Sequence, residues 1–348
     1  MIRKLALTCC ALALSLAAAE LAVRLLLPQA SSWLAIYRTH PELPIFSVDA
    51  DLERFVDTGE SAWTVYTDGT GSRTAAPDRR PARTREDALW VIGDSFTFGN
   101  GVDHEQTFVG LLDAAAGPTG SFVNCGTPGY GPRQYLLRLT HRLAHEPPPR
   151  AVLVCCYLGN DFQDTLWDKP VDPGEGKSTE PPSLKGLLKR SSHLYRLTSK
   201  VWHRVRPTRE DRVWRELFSA TAWEGPFLSR AAERFGEAMG AVVGACRASA
   251  VPLVIALVPP EYTVRGATAG DSDRDPALPV ERATALLAEL EVEVVDLTPA
   301  LGAVGADDAY WPLDGHLSPA GHRAVADALA PLLVELVAGG TDAQSSPR

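Results

Sequence analysis

A three-layer α/β/α sandwich around a flavodoxin-like, mainly five-stranded parallel sheet is the fold that the sequence predicts, and three observations carry it. Short continuous apolar runs recur along the chain, as at 88–92 (ALWVI), 151–157 (AVLVCCY) and 251–258 (VPLVIALV). Such runs suit strands buried on both faces. Helix-length segments alternate with them, which is the pattern of βα units packed on both sides of a parallel sheet. Glycine-bearing polar loops follow the strands, where open α/β sheets place their sites.

The elements follow in order. Arg3 and Lys4 precede an uncharged run from Leu5 to Ala19, and apolar residues continue past Glu20 and Arg24 to Leu27. Residues 1–28 are therefore read as an export segment. Ala17-Ala18-Ala19 offers a signal-peptidase site. An i,i+4 pair between Glu20 and Arg24 would instead let the stretch reach spanning length as an uncleaved anchor. Either way the remainder is expected outside the cytoplasm, anchored to the membrane's outer face, or periplasmic or secreted after cleavage. Residues 29–87 read as an irregular, β-rich extension ending in a basic, Pro-containing run from Arg79 to Arg85.

An α/β domain then spans 88–338. Strands are predicted at 88–92, 121–124, 151–157, 251–258 and 292–297, with helices at 106–116, 132–145, 227–250, 279–290 and 319–337. A polar, Pro-bounded stretch at about 163–225 interrupts the alternation and reads as an insertion or lid. Residues 339–348 read as a disordered tail.

With 348 residues, 45% hydrophobic and 22% charged, the chain can bury a sizeable core. Its net charge of -9 argues against broad capture of nucleic acid, which needs an excess of Lys and Arg facing phosphates. One local exception lies between Lys185 and Arg215, with ten Lys/Arg against Glu210 and Asp211. It reads as a solvated helical face, the alternative being contact with a membrane surface or an acidic glycan. Six cysteines form neither a disulfide scaffold nor a zinc knuckle. Cys155 and Cys156 adjoin in a strand and so point to opposite faces, and these and Cys125 are expected to pack as small hydrophobes.

Four loop motifs carry chemistry. Gly93-Asp94-Ser95-Phe96-Thr97-Phe98-Gly99 follows the first strand, where a glycine permits a tight turn that exposes the serine hydroxyl. Asn124-Cys125-Gly126-Thr127-Pro128-Gly129 follows the second, with glycines that let a backbone amide approach a ligand. Gly159-Asn160-Asp161 follows the third, and an asparagine amide can donate to an oxyanion. Asp314-Gly315-His316-Leu317-Ser318-Pro319 precedes the last helix. An imidazole beside a carboxylate is what a weak hydroxyl nucleophile requires, because serine must lose its proton as it attacks. Each motif alone also suits an ordinary turn or helix cap. Their joint occurrence, in this order at successive strand ends, favours a single site.

On these residues the chain resembles the SGNH (GDSL-like) hydrolase superfamily over roughly 88–337, and GDSFTFGNGV, YLGND and DGHLSPAGH resemble its membrane-anchored bacterial members. The resemblance implies Ser95 as nucleophile, His316 as general base and Asp314 as its orienting acid. It implies an oxyanion hole of the Ser95 amide, Gly126 and Asn160, and neither metal nor cofactor. The usual family spacing is Asp-x-x-His, whereas Asp314 and His316 stand two apart, as in the acetyltransferase-like branch. Asp307 and Asp308 are the local alternatives as partner. His104 reads as a solvent-exposed histidine or one standing behind the site, and His322 as a capping or packing residue, while Arg133, Tyr157 and Trp311 are candidates for pocket lining.

The expected function is an exported serine esterase that hydrolyses small esters or acylated glycans, O-acetyl groups among them, through an acyl-serine intermediate. Two alternatives stand beside it. One is an O-acetyltransferase acting on a cell-envelope or exopolysaccharide glycan, and the other is a non-catalytic envelope binding module. No nucleic-acid partner is expected, membrane contact runs through the N-terminal segment, and the sequence leaves the oligomeric state open.

Overall fold

A computed structural model describes residues 2–29, 36–76, 88–117, 121–166, 188, 191–205, 214–266 and 274–339. The basic run 79–85, much of the segment 163–225 and the tail after Gly339 lie outside the described residues.

The sheet is built from β6 (Ala88–Gly93), β7 (Ser121–Asn124), β8 (Ala151–Tyr157), β9 (Leu253–Val258) and β10 (Glu293–Asp296), all parallel in the order β10-β9-β8-β6-β7. Relative to chain order this is the 2-1-3-4-5 arrangement of flavodoxin-like sheets, as predicted. The strands alternate their burial between two apolar layers. Trp90, Ile92, Val152, Val154 and Cys156 face one side, while Leu89, Val91, Leu153, Cys155 and Ala256 face the other. The two adjacent cysteines thus do point opposite ways, and burial pushes the Cys155 thiol up to about 12, so it is inert.

The amphipathic helices cover these faces. Tyr135, Leu139, Phe235, Met239 and Val242 pack on the first side, from Pro132–His145 and Pro226–Ala248; Val109, Leu112, Leu301, Val325 and Leu329 pack on the second, from Phe108–Ala116, Thr298–Val304 and Pro319–Gly339. Leu217, Phe218 and Trp223, which fall inside the segment expected to be a lid, are also buried in the first layer. The end of that segment is core rather than cover.

The extension departs most from expectation. Besides a small antiparallel pair, β1 (Tyr37–Thr39) with β2 (Phe46–Val48), it supplies β3 (Glu53–Asp57), β4 (Ala62–Thr67) and β5 (Arg73–Thr74). These prolong the main sheet to eight strands, β5 joining β7 antiparallel at Arg73 and Asn124. The extension's own apolar residues, Val56, Trp63 and Val65, form a third cluster with Phe98 of the serine loop, and pairing covers what would be an open sheet edge.

The first helix, α1 (Ile2–Leu26), is apolar and exposed, and Ala6–Leu26 is long and apolar enough to cross a membrane. Glu20 and Arg24 pair at 2.7 Å, the i,i+4 contact anticipated above. Glu20 also accepts from the Ser192 hydroxyl at 2.7 Å and from the amides of His193 and Leu194, both at 2.9 Å. It therefore caps the helix His193–Val205 and ties it to α1.

Candidate active site

The serine, glycine and histidine motifs meet beside the carboxyl end of β6, and the asparagine motif follows the neighbouring β8. After β6 the chain turns at once into a four-residue helix, α2 (Ser95–Phe98). Asp94 fixes that turn, its carboxylate accepting from the Phe96 amide at 2.9 Å. Gly93 is required there: a Cβ would lie 2.1 Å from Thr97 Oγ1 and 2.8 Å from the Cys155 carbonyl oxygen. Ser95 opens the helix and remains partly accessible.

The histidine loop comes from the other end of the domain. Gly315, at φ +77°, lets residues 311–316 fold back on themselves, with the Gly315 amide on the Trp311 carbonyl and the Trp311 amide on the His316 carbonyl, both at 2.8 Å. Ser318 caps the helix beginning at Pro319, its hydroxyl accepting from the amides of Ala320 and Gly321. This arrangement puts His316 Nε2 2.8 Å from Ser95 Oγ and His316 Nδ1 2.8 Å from Asp314 Oδ2. With the carboxylate accepting from Nδ1–H, the Nε2 lone pair is left to receive the serine proton.

Electrostatics favour this tautomer. Burial pushes the Asp314 carboxyl up, but the hydrogen bond and charge of His316 pull harder, and the net position is below the usual carboxylate range. Asp307 is engaged elsewhere, with Arg265 at 2.7 Å, and the Asp308 carbonyl accepts from the Ser318 hydroxyl. The two-residue spacing therefore does not prevent Asp314 from meeting the imidazole.

Of the expected oxyanion donors, Asn160 follows β8 at the head of a short turn of helix, Asp161–Asp164, partly accessible. Gly126 is a different case. Its amide donates to Asn124 Oδ1 at 3.1 Å, and a Cβ there would lie 2.4 Å from the Phe98 nitrogen. The glycine permits close packing against α2.

Around the triad, Phe96 lies between Tyr157, stacked at 3.7 Å between ring centroids, and His316 at 4.9 Å. Tyr157 thus shapes the site through Phe96. Gly101 accommodates Trp311, since a Cβ there would come within 2.7 Å of Trp311 Nε1. Arg133 does not join them. It lines a groove of about 990 Å³ together with Leu136, Leu166, Phe227 and Arg230, none of them a member of the triad. His104 is buried rather than at the surface, and His322 is buried as expected of a packing residue, its Nδ1 accepting from the Phe108 amide at 3.2 Å. Among the described residues, Glu42, His141 and His145 form a group whose donor atoms could hold a metal ion, and none of them belongs to the four motifs.

Three positioning residues escape the motifs. Asn124 Nδ2 donates to the Thr97 carbonyl at 2.9 Å. Arg73, fully buried, donates to the carbonyls of Phe98 and Gly99 at 2.6 Å each and of Val102 at 2.5 Å. Glu60 accepts from the amides of Leu313 and Asp314 at 2.8 and 2.9 Å. Asn124 stood inside a motif already read, but nothing local marks Arg73 or Glu60, whose partners lie 25 or more residues away.

Comparison with curated proteins finds no match. Among solved structures, TesA is similar at 16% identity, with a TM-score of 0.43, covering 72% of this chain and 99% of that one. A lipolytic G-D-S-L family member from Veillonella parvula is similar at 13% identity and TM-score 0.41, covering 71% of this chain and 98% of that one. The acetyl xylan esterase AlAXEase is similar at 14% identity and TM-score 0.40, covering 70% and 99%. The family model of the GDSL-like lipases and acylhydrolases matches residues 91–324, from the strand that leads to Ser95 into the first turns of the helix that follows His316. By that match, over more than half of its length, the chain belongs to the GDSL-like lipase/acylhydrolase family.

Proposed function

We propose that the protein is a membrane-anchored, extracytoplasmic serine esterase that cleaves small esters or acylated glycans through an acyl-Ser95 intermediate. The observation that carries this reading is the pair of 2.8 Å contacts linking Ser95, His316 and Asp314. Ser95 Oγ attacks the ester carbonyl as its proton passes to His316 Nε2. The Ser95 amide and the Asn160 side chain offer donors to the oxygen that gains charge. Collapse of the tetrahedral intermediate expels the alcohol, which takes the proton back from His316. Water, deprotonated by the same imidazole, then releases the acid and restores Ser95. Asp314 stabilises the imidazolium without itself taking up the proton.

The anchor reading is supported by the length and apolar character of α1 and by Glu20, which ties that helix to the helix His193–Val205.

Labelling with a fluorophosphonate tests the reading. The wild-type chain should be modified once, at Ser95, and lose its activity on a p-nitrophenyl ester in proportion. Unlabelled wild-type protein, or equal turnover by Ser95→Ala, would reject it. Supplying an acylated donor together with a glycan separates hydrolysis from transfer, since acceptor-dependent acyl-glycan would assign the second half-reaction to a sugar hydroxyl.

A further inference from the structure

The helix Pro132–His145 begins just beyond the turn that follows β7 and runs away from Ser95, so that its end lies about 20 Å from its start. At that far end His141 and His145 stand four residues apart, on one face of the helix. Their rings stack at 4.2 Å between centroids. The loop between β1 and β2 brings Glu42 against both: Glu42 Oε2 lies 3.0 Å from His141 Nε2 and 3.6 Å from His145 Nε2. All three donor atoms fall within 4.8 Å of one another.

We infer that Glu42, His141 and His145 form a binding site for a divalent transition-metal ion, best suited to zinc. Zinc held tetrahedrally at about 2.0–2.1 Å from nitrogen and oxygen keeps its donor atoms about 3.3 Å apart. The two observed nitrogen-to-oxygen separations bracket that value. Two imidazoles and one carboxylate, with a fourth position left to water, are a donor set that zinc accepts and that magnesium or calcium does not favour.

The surroundings fix the donors as a metal site requires. His145 Nδ1 donates to the His141 carbonyl at 2.8 Å, which leaves the Nε2 lone pair directed outward. His40 orders the loop that presents Glu42, its Nδ1 accepting from the amides of Glu42 and Leu43 at 3.2 and 3.1 Å. Its ring also packs edge-on against His141 at 4.8 Å between centroids. The His141 Nε2 proton, shared with Glu42 in the metal-free state, is what the ion displaces. Arg38 and Arg138 act on His40 and oppose an added cation, so the donor geometry, not the surrounding field, must hold the metal. A bound ion would pin the N-terminal extension to the α/β domain, and that extension carries Arg73 and Glu60. The inference does not depend on esterase activity.

Calorimetric titration of Zn²⁺ into chelator-treated full-length protein in detergent should give one equivalent per chain. Binding should weaken at least tenfold in Glu42→Gln and in the double variant His141→Ala/His145→Ala. Co²⁺ should give the visible absorption of a tetrahedral site in wild type and not in either variant, and Zn²⁺ should raise the melting temperature of wild type alone. Circular dichroism verifies that the variants fold; Glu42→Gln, altered only at an exposed carboxylate, keeps the comparison decisive if the double variant does not. Absence of stoichiometric uptake by wild type, or undiminished uptake by Glu42→Gln, would overturn the inference.

Discussion

The guanidinium of Arg73 donates through Nη1 to the carbonyl oxygen of Phe98 at 2.6 Å, so a residue of the N-terminal extension holds the end of the helix that Ser95 begins. The same guanidinium takes the carbonyls of Gly99 and Val102 and lies over the Phe98 ring at 4.9 Å. Burial pushes it down to about 9, with Asp103 and Glu105 partly offsetting that, and it stays cationic at neutral pH. A cation at helix-terminal carbonyls has the favourable sign.

Replacing Arg73 with methionine keeps the stem but removes its donors; the Phe98 and Gly99 carbonyls retain only long 3.4 Å contacts with Asn124 Nδ2 and the Val102 amide, and the Val102 carbonyl is the group stranded. A group so stranded costs about 1–3 kcal/mol. Urea denaturation should show that loss, and turnover of a p-nitrophenyl ester should fall through kcat more than KM because the Ser95 turn loosens. Arg73→Lys should rescue little, since one ammonium cannot span three acceptors in the guanidinium's fork. A lysine variant with wild-type kcat and midpoint would contradict the clamp.

Glu60 plays the matching part for the histidine loop, accepting from the amides of Leu313 and Asp314. Because it is partly exposed, its removal should leave global stability nearly unchanged. The effect should appear in kcat: Glu60→Ala is expected to lose on the order of tenfold, as a small displacement of a positioned group costs rate steeply. Glu60→Gln keeps one acceptor oxygen and should recover part of it. Stopped-flow measurement of the acylation burst distinguishes this from slowed product release.

These two residues mark where legibility in the sequence stops. The parallel order and the residues that meet at Ser95 could be read because buried strands leave apolar runs and because serine, aspartate and histidine sit in loops of fixed character. The eight-stranded sheet could not, since β3, β4 and β5 are short and their pairing is decided by the edge of β7. The close packing at Gly126 was not legible either: a glycine that packs and a glycine that frees an amide look alike until the Phe98 backbone and the Asn124 side chain are placed beside it. The pairing of His141 with His145 was visible as a helical spacing, but its meaning depends on Glu42, about a hundred residues earlier.

Asp314 is expected to matter through proton placement. In Asp314→Asn the amide can donate to Nδ1, which then carries the lone pair, and the proton moves to Nε2, where the serine needs an acceptor. The loss in kcat should be about 10² to 10⁴, the range for general base catalysis, and nearer the lower end because the site is partly open to water. For stability the sign is that of a lowered carboxyl. The His316 contact contributes above the ordinary carboxylate pKa and is lost as pH falls through the folded-state value. Denaturation midpoints for Asp314→Asn and wild type should therefore converge at strongly acid pH and separate near neutrality.

The buried histidines give the protein its strongest predicted acid sensitivity. Burial, with Arg73 adding to it, pushes both His104 and His322 down to about 3, and His316 contributes further at His322. An unfolded histidine protonates near 6.5, so between those values the unfolded chain binds protons that the folded one refuses. Stability must then fall as pH drops through that window, by up to about 1.4 kcal/mol per pH unit for each histidine, and level off below it. His322→Asn isolates one of the two, because Asn Oδ1 can replace Nδ1 as acceptor for the Phe108 amide. That variant should be less stable than wild type at pH 7, where it has lost packing, yet should lose stability more slowly on acidification. Urea midpoints measured at pH 7, 6, 5 and 4 decide it: parallel curves for the two proteins would mean that His322 is not the buried neutral group described.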